Sequence, residues 1–119
     1  MNKTVFRFEE LRVYQESLLF IDNIYMISQR FPKEEIFGLT NQFRRAAVSI
    51  SLNIAEGSSR TQKDFRHFLD LSRGSCYECV AIITIAKNRK YISGEEFVEL
   101  YESCNKLARM ISALKTSLR

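Results

Sequence analysis

Residues 91–97 read YISGEEF, and this stretch decides the fold. Ser93 stands where a helix N-cap belongs, and Glu96 three residues on completes a capping box. Ile92 and Phe97 form the hydrophobic staple that sets the angle of entry. Downstream, Phe97, Leu100, Cys104, Leu107, Ile111, Leu114 and Leu118 recur every three or four residues, the period of one helix face. Upstream, Phe65, Leu69, Ser72, Cys76, Cys79, Ile83 and Ala86 do the same. The stretch is therefore a break between two amphipathic helices.

Working further back, the helix before the break is capped either by Ser59 with Gln62 or by Thr61 with Asp64. Gly57 reads as the C′ stop of a preceding helix whose stripe is Leu39, Phe43, Ala46, Ile50 and Ile54. Gly38 marks where that helix becomes regular, and Glu34 and Glu35 sit where acids favour a helix N-terminus. Phe31-Pro32 ends a first helix, because the residue before proline is pushed out of the α region. The first helix shows a stripe of Leu11, Tyr14, Leu18, Ile21, Tyr25 and Ser28. No segment alternates as a strand would. The expectation is four helices of roughly six to eight turns. Short loops force antiparallel neighbours, giving an all-α, up-down-up-down four-helix bundle.

The chain has 119 residues, 45% of them hydrophobic, which suits one domain over 1–119 with one core. One Pro, four Gly and no low-complexity run leave no linker. The opening MNKTVFRFEE has no apolar h-region, and no later run reaches the roughly 18 apolar residues of a membrane span. Three Cys without an export signal read as reduced thiols, so a cytoplasmic, membrane-free protein is expected. A net charge of +4 permits a polyanionic partner without demanding one.

Turning about 100° per residue along the second helix separates three zones. Beside the core stripe runs a polar stripe of Gln42, Arg45, Ser49, Asn53 and Glu56. Beyond it lies a second apolar patch of Phe37, Val48, Leu52 and Ala55. The third helix repeats this with Phe68, Leu71, Ile82 and Ile85 outside the core heptad and Ser75 and Glu78 between. The first adds Val13, Phe20, Ile24 and Ile27. A monomeric bundle needs one apolar stripe per helix. The surplus means either a wide core with scattered exposed residues or, the preferred reading, association of copies through the spare faces.

Candidate sites divide by chemistry. Cys76 and Cys79 have the spacing of a metal or redox pair, but both fall on the core heptad, with only Cys104 and His67 left as soft ligands. A structural zinc site takes four ligands, usually as two close pairs, and Cys104 and His67 do not make a second pair, so these read as small core residues. Asp64, His67 and Asp70 share one side of the third helix. A di-iron bundle needs two Glu-x-x-His elements facing inward, and Phe65 and Leu69 hold that face. There is no nucleophile elbow, P-loop or dinucleotide fingerprint. No catalytic, cofactor or metal residue is assigned, and no enzyme is expected.

Basic residues cluster twice: Arg60, Lys63, Arg66 and Arg73 from the loop into the third helix, and Lys87, Arg89 and Lys90 at its far end. Cations suit a helix C-terminus, which accounts for the second cluster. They oppose the dipole at an N-terminus, which makes Arg60, Lys63 and Arg66 the first choice for phosphate contact. Glu56, in the last turn of its helix, needs a cationic partner, either Arg60 or Arg45 of a second copy. Gln42, Arg45, Ser49, Asn53, Glu56 and Glu78 then read as a partly buried polar stripe that sets assembly geometry.

FEELRVYQESL, FPKEEIFGLTNQFRRAAVSISLNIAEGSSR and DFRHFLDLSRGSCYE resemble a family of bacterial four-helix-bundle proteins encoded in intervening sequences of large-subunit ribosomal RNA genes. Its members are often labelled small ribosomal proteins, and the accessory protein of diversity-generating retroelements is related to them. The resemblance covers residues 6–118 and is most specific from Arg45 through Asn53, IAEG and Arg60, then Phe68, Leu69, Gly74, Ser75 and Glu78. Tyr14 stands where family members often carry Trp. The resemblance implies a ring of copies, commonly a pentamer, acting on nucleic acid as an accessory to RNA or to a reverse transcriptase, with no catalytic residues. The competing class is a protein-interaction scaffold whose partner docks on the spare apolar faces.

Overall fold

The computed structural model describes residues 6–118; residues 1–5, which open the stretch read for a leader, lie outside the described residues, as does 119. Four α-helices fill the described chain: α1 Arg12–Ser28, α2 Leu39–Ser58, α3 Gln62–Asn88 and α4 Gly94–Ser117. They form the antiparallel four-helix bundle that the loop lengths require. Each helix packs on its neighbours in sequence, and α1 closes the ring against α4. A 3-10 turn over Arg7–Glu10 precedes α1, and another over Lys33–Glu35 links α1 to α2. At 17 residues α1 is shorter than its apolar pattern suggested, because Leu11 is extended and only a 3-10 turn precedes it.

The helix boundaries follow local chemistry. Ser93 Oγ accepts from the Glu96 N–H at 3.0 Å, and the Ser93 N–H donates to Glu96 Oε1 at 2.9 Å, closing the capping box on α4. At α3, Thr61 is the cap, its Oγ1 accepting from the Asp64 N–H at 3.2 Å. At α2 the N-cap is Gly38, which has no side chain to offer, and Glu35 Oε1 takes the Leu39 N–H at 3.0 Å instead. The C-terminus of α3 is a Schellman turn: Tyr91 N–H donates to Ala86 and Lys90 N–H to Lys87, both at a carbonyl. Lys90 occupies the left-handed position with φ 66°, where glycine is usual.

The core is built by the expected stripes of α2, α3 and α4. Phe43, Ile50, Ile54, Leu69, Ile83, Leu100 and Ile111 are almost wholly withdrawn from solvent. Each such side chain contributes about 1.5–3 kcal/mol by leaving water. In α1 the phase differs from the expected one. Val13, Phe20 and Ile24, read as a surplus patch, are core, while Leu18 and Tyr25 of the expected stripe are exposed. Two apolar stripes compete on α1, and the one that is buried brings Ser17 inward as well as Ser28, which the expected stripe already placed in the core. Ser17 and Ser28 are buried because their small hydroxyls fold back on the carbonyls of Tyr14 and Tyr25.

Gly57 is also placed differently. It does not follow α2 as a left-handed stop; it lies within the helix and is buried. A Cβ there would stand 2.6 Å from Phe68 Cβ and 2.8 Å from Phe65 Cδ1. Gly57 is the seat on which α3 crosses α2.

Candidate nucleic-acid interface

The corner between α2 and α3 gathers the opening motif of the basic cluster. Arg60 Nη2 bonds Glu56 Oε2 at 2.6 Å, so the acid at the end of α2 finds its cation within its own chain. The same guanidinium lies 5.2 Å over the Phe68 ring, the side chain whose Cβ presses on Gly57. The Glu56 carboxylate raises the Arg60 pKa, chiefly through their hydrogen bond. Arg60 is therefore committed to the corner.

The other basic residues divide by their partners. Arg73 Nη2 donates to Tyr77 Oη at 2.9 Å and stacks 4.9 Å over the ring. Lys87 Nζ sits 4.5 Å over Phe97, bracing the α3–α4 turn. Arg89 Nε donates to Tyr91 Oη at 3.0 Å, and Tyr91 donates onward to Glu35 Oε2 at 2.9 Å, tying the α3–α4 turn to the α1–α2 link at the same end of the bundle. The Glu35 carboxyl is held below its usual value, first by the Leu39 N–H and then by the Tyr91 hydroxyl. Lys63, Arg66 and Lys90 have no ion-pair or side-chain hydrogen-bond partner among the described residues. Lys63 and Arg66 thus remain available in the first turns of α3, where their charge opposes the dipole. Lys90 serves the backbone turn as well as the surface.

Lys115 enlarges this patch and was not anticipated. It lies on α4 facing Arg66 and Arg73, bonds Asp70 Oδ1 at 2.7 Å, and lines the same depression with Ser112 and Thr116. Its signal in the sequence is faint, because a lysine in the last turn of a helix already has a reason to be there.

The polar stripe is half-buried only at its centre. Asn53 Nδ2 donates to the Ser49 carbonyl at 2.9 Å and to Ser49 Oγ at 3.0 Å, while Ser75 Oγ on α3 bonds Ser49 Oγ at 3.0 Å. Buried Ser72 donates to the Ile50 carbonyl at 2.8 Å across the same seam. Gln42, Arg45, Glu56 and Glu78 are exposed on either side of this ladder. Around them lie exposed apolar side chains, with Phe37 92% and Leu52 62% accessible, and Leu71 and Ile85 open as well. Ile82 of the expected patch is core instead.

The cysteines are closed off. Cys76, Cys79 and Cys104 are free and buried, and burial pushes the Cys76 and Cys104 thiols up to about 12 and Cys79 upward too. Among the described residues no three His, Cys, Asp or Glu converge to hold a metal ion, and no helix is long and apolar enough to cross a membrane.

These features define a small all-helical bundle with a basic flank and an exposed apolar face. The sequence pattern of the 23S rRNA-intervening sequence proteins matches residues 9–113, and the chain belongs to that family. A crystal structure of a protein with unknown function from the S23 ribosomal protein family, from Bacteroides thetaiotaomicron VPI-5482, is similar in fold. It has a TM-score of 0.81 at 20% identity, over 88% of this chain and 96% of that one. No curated protein matches the chain.

Proposed function

We propose that the chain is a non-enzymatic, cytoplasmic protein that associates with copies of itself and binds nucleic acid through basic patches repeated around the assembly. The observation that carries this reading is the pair Lys63 and Arg66, cations left without partners at the helix end that disfavours them. A phosphate supplies what the fold withholds. The family description names an RNA context, which supports a polyanionic partner. The exposed Phe37, Leu52, Leu71 and Ile85 supply a surface for self-association, with a ring of five as the expected form. Repetition in a ring turns weak contacts into useful affinity. A reverse transcriptase is a further candidate partner.

Titration with RNA and DNA at rising salt tests the reading. Two phosphate contacts per protomer, at Lys63 and Arg66, predict a loss of about 7- to 12-fold between roughly 50 and 200 mM salt. Reversal of Lys63 and Arg66 to Glu, with Arg60 left in its pair with Glu56, removes binding if the site is correct; retained binding refutes it. No binding at low salt points to the second reading, a scaffold whose protein partner covers Phe37 and Leu52. A monomer mass by light scattering at micromolar concentration refutes the self-association.

A further inference from the structure

Two depressions lie end to end along the flank where α3 meets α4. The first is apolar, with Tyr77, Val80 and Ala81 of α3 facing Tyr101, Asn105 and Ala108 of α4. Its two tyrosines are half in solvent, 58% and 49% accessible, which is unusual for aromatic rings with so much apolar surface beside them. The second depression is basic, with Arg66 and Arg73 of α3 opposite Lys115, Ser112 and Thr116 of α4. Asp70 is its one carboxylate and is neutralised by Lys115 at 2.7 Å, so the charges of Arg66 and Arg73 are not cancelled there. The Arg73–Tyr77 pair joins the two depressions, because the guanidinium both bonds the hydroxyl and stacks on the ring.

The two halves call for one ligand with two chemistries. A neutral apolar ligand would use the tyrosines and leave the cations idle. A base-paired duplex would use the cations, but its base faces are stacked shut against the rings. A single strand presents both, since every unpaired base has a π-face and every linkage a phosphate. Asn105 adds an amide at the lip of the apolar half, able to donate to or accept from a base edge.

We propose that the α3–α4 flank is a groove for single-stranded nucleic acid, in which bases stack on Tyr77 and Tyr101 and phosphates rest against Arg66 and Arg73. This rests on the nucleic-acid reading above and goes beyond it by naming the strandedness and the rings. The test is an anisotropy titration with short oligo(U), oligo(dT) and matched RNA and DNA duplexes. Tyr77→Ala and Tyr101→Ala each weaken single-strand binding about 5- to 100-fold, and the Phe variants restore it, with duplex binding unchanged. The chain has no Trp, so Tyr101→Trp installs a single indole whose emission is quenched by a stacked base. Quenching by single strands and not by duplexes supports the groove. Nucleic-acid binding that survives both alanine variants, with no quenching, overturns it and leaves the basic-patch reading standing. A changed molar mass in the alanine variants also overturns it, since the flank would then be a contact between copies. An unmodified protein that binds no nucleic acid at low salt removes both.

Discussion

Replacing Gly57 by alanine sets two effects of opposite sign against each other. Alanine is the better helix former by about 1 kcal/mol, so propensity alone predicts a more stable protein. The structure predicts the reverse. The new Cβ would meet Phe68 Cβ at 2.6 Å, close to 1 Å inside the ~3.5 Å at which carbon atoms begin to attract. Phe68 Cβ is fixed to the α3 backbone and cannot rotate away, so the two helices must separate. Overpacking of this kind costs about 1–3 kcal/mol, and a contact this short against a fixed Cβ belongs in the upper half of that range, about 2–3 kcal/mol, which leaves a net loss of about 1–2 kcal/mol. For a domain of this size that is a fall in Tm of roughly 4–8 °C. Thermal and guanidinium unfolding followed by circular dichroism at constant protein concentration measures it. Gly74 is the control, being exposed in α3 with nothing within 4 Å of its added Cβ, and Gly74→Ala should stabilise. Asn separates the close approach from a left-handed stop, because Asn suits a stop but is bulkier than Ala at a crossing. If Gly57→Ala is as stable as the parent, or Gly57→Asn is milder than Gly57→Ala, the crossing argument is wrong.

Other outcomes follow from single contacts. Lys90→Gly should raise stability by about 1 kcal/mol, since the left-handed C′ position costs a lysine about that much and a glycine almost nothing; an unchanged guanidinium midpoint would contradict this. Ser93→Ala should lower stability by about 1 kcal/mol through loss of the α4 capping box, read by the same unfolding curves. The Glu35 and Glu96 carboxyls are held low, first by the N–H groups of Leu39 and Ser93 respectively. Their stabilisation is thus present above the ordinary carboxylate range and is lost as pH falls through their lowered values. Melting at stepped pH should show a shallower acid-side loss in Glu35→Gln and Glu96→Gln than in the parent. The native protein should resist an aromatic disulfide reagent at pH 8 and release three thiols on denaturation, because all three sulfurs are buried and protonated.

The bundle was legible in the sequence wherever a rule depends on near neighbours. The Ser93–Glu96 box, the Pro32 break and the stripes of α2, α3 and α4 are matters of spacing within a few residues. The phase of α1 was not, since Leu18 and Phe20 both satisfy a helical period, and the observed phase buries Ser17, a polar residue whose burial depends on what packs above it. Gly57 failed for a similar reason: a glycine that ends a helix and one that admits another helix look alike until Phe68 is in place. The basic cluster was legible as a cluster but not as a division of labour. Arg60–Glu56 and Arg73–Tyr77 follow the i,i+4 rule. Lys87 over Phe97 crosses the α3–α4 turn and Lys115 beside Arg66 joins distant parts of the chain, and neither follows from spacing along one helix.

The hydroxyl ladder between α2 and α3 bears on the order in which the chain assembles and opens. Its bonds, Ser75 to Ser49 and Ser72 to Ile50, join segments separated by a three-residue connection, so they close a short loop. Local contacts of this sort form early and cheaply in entropy. By contrast α1 meets α4 from the far end of the chain along a sparse seam, with Lys106 to Glu16 at 3.3 Å and, just past the end of α1, Arg30 to Glu96 as its ion pairs among the described residues. The α2–α3 hairpin is thus the natural nucleus, and α1 the last element to dock and the first to lift away. Amide protons should exchange fastest along α1 and slowest beneath Ser72, so the protein carries its own gradient of local stability from one edge of the bundle to the opposite one.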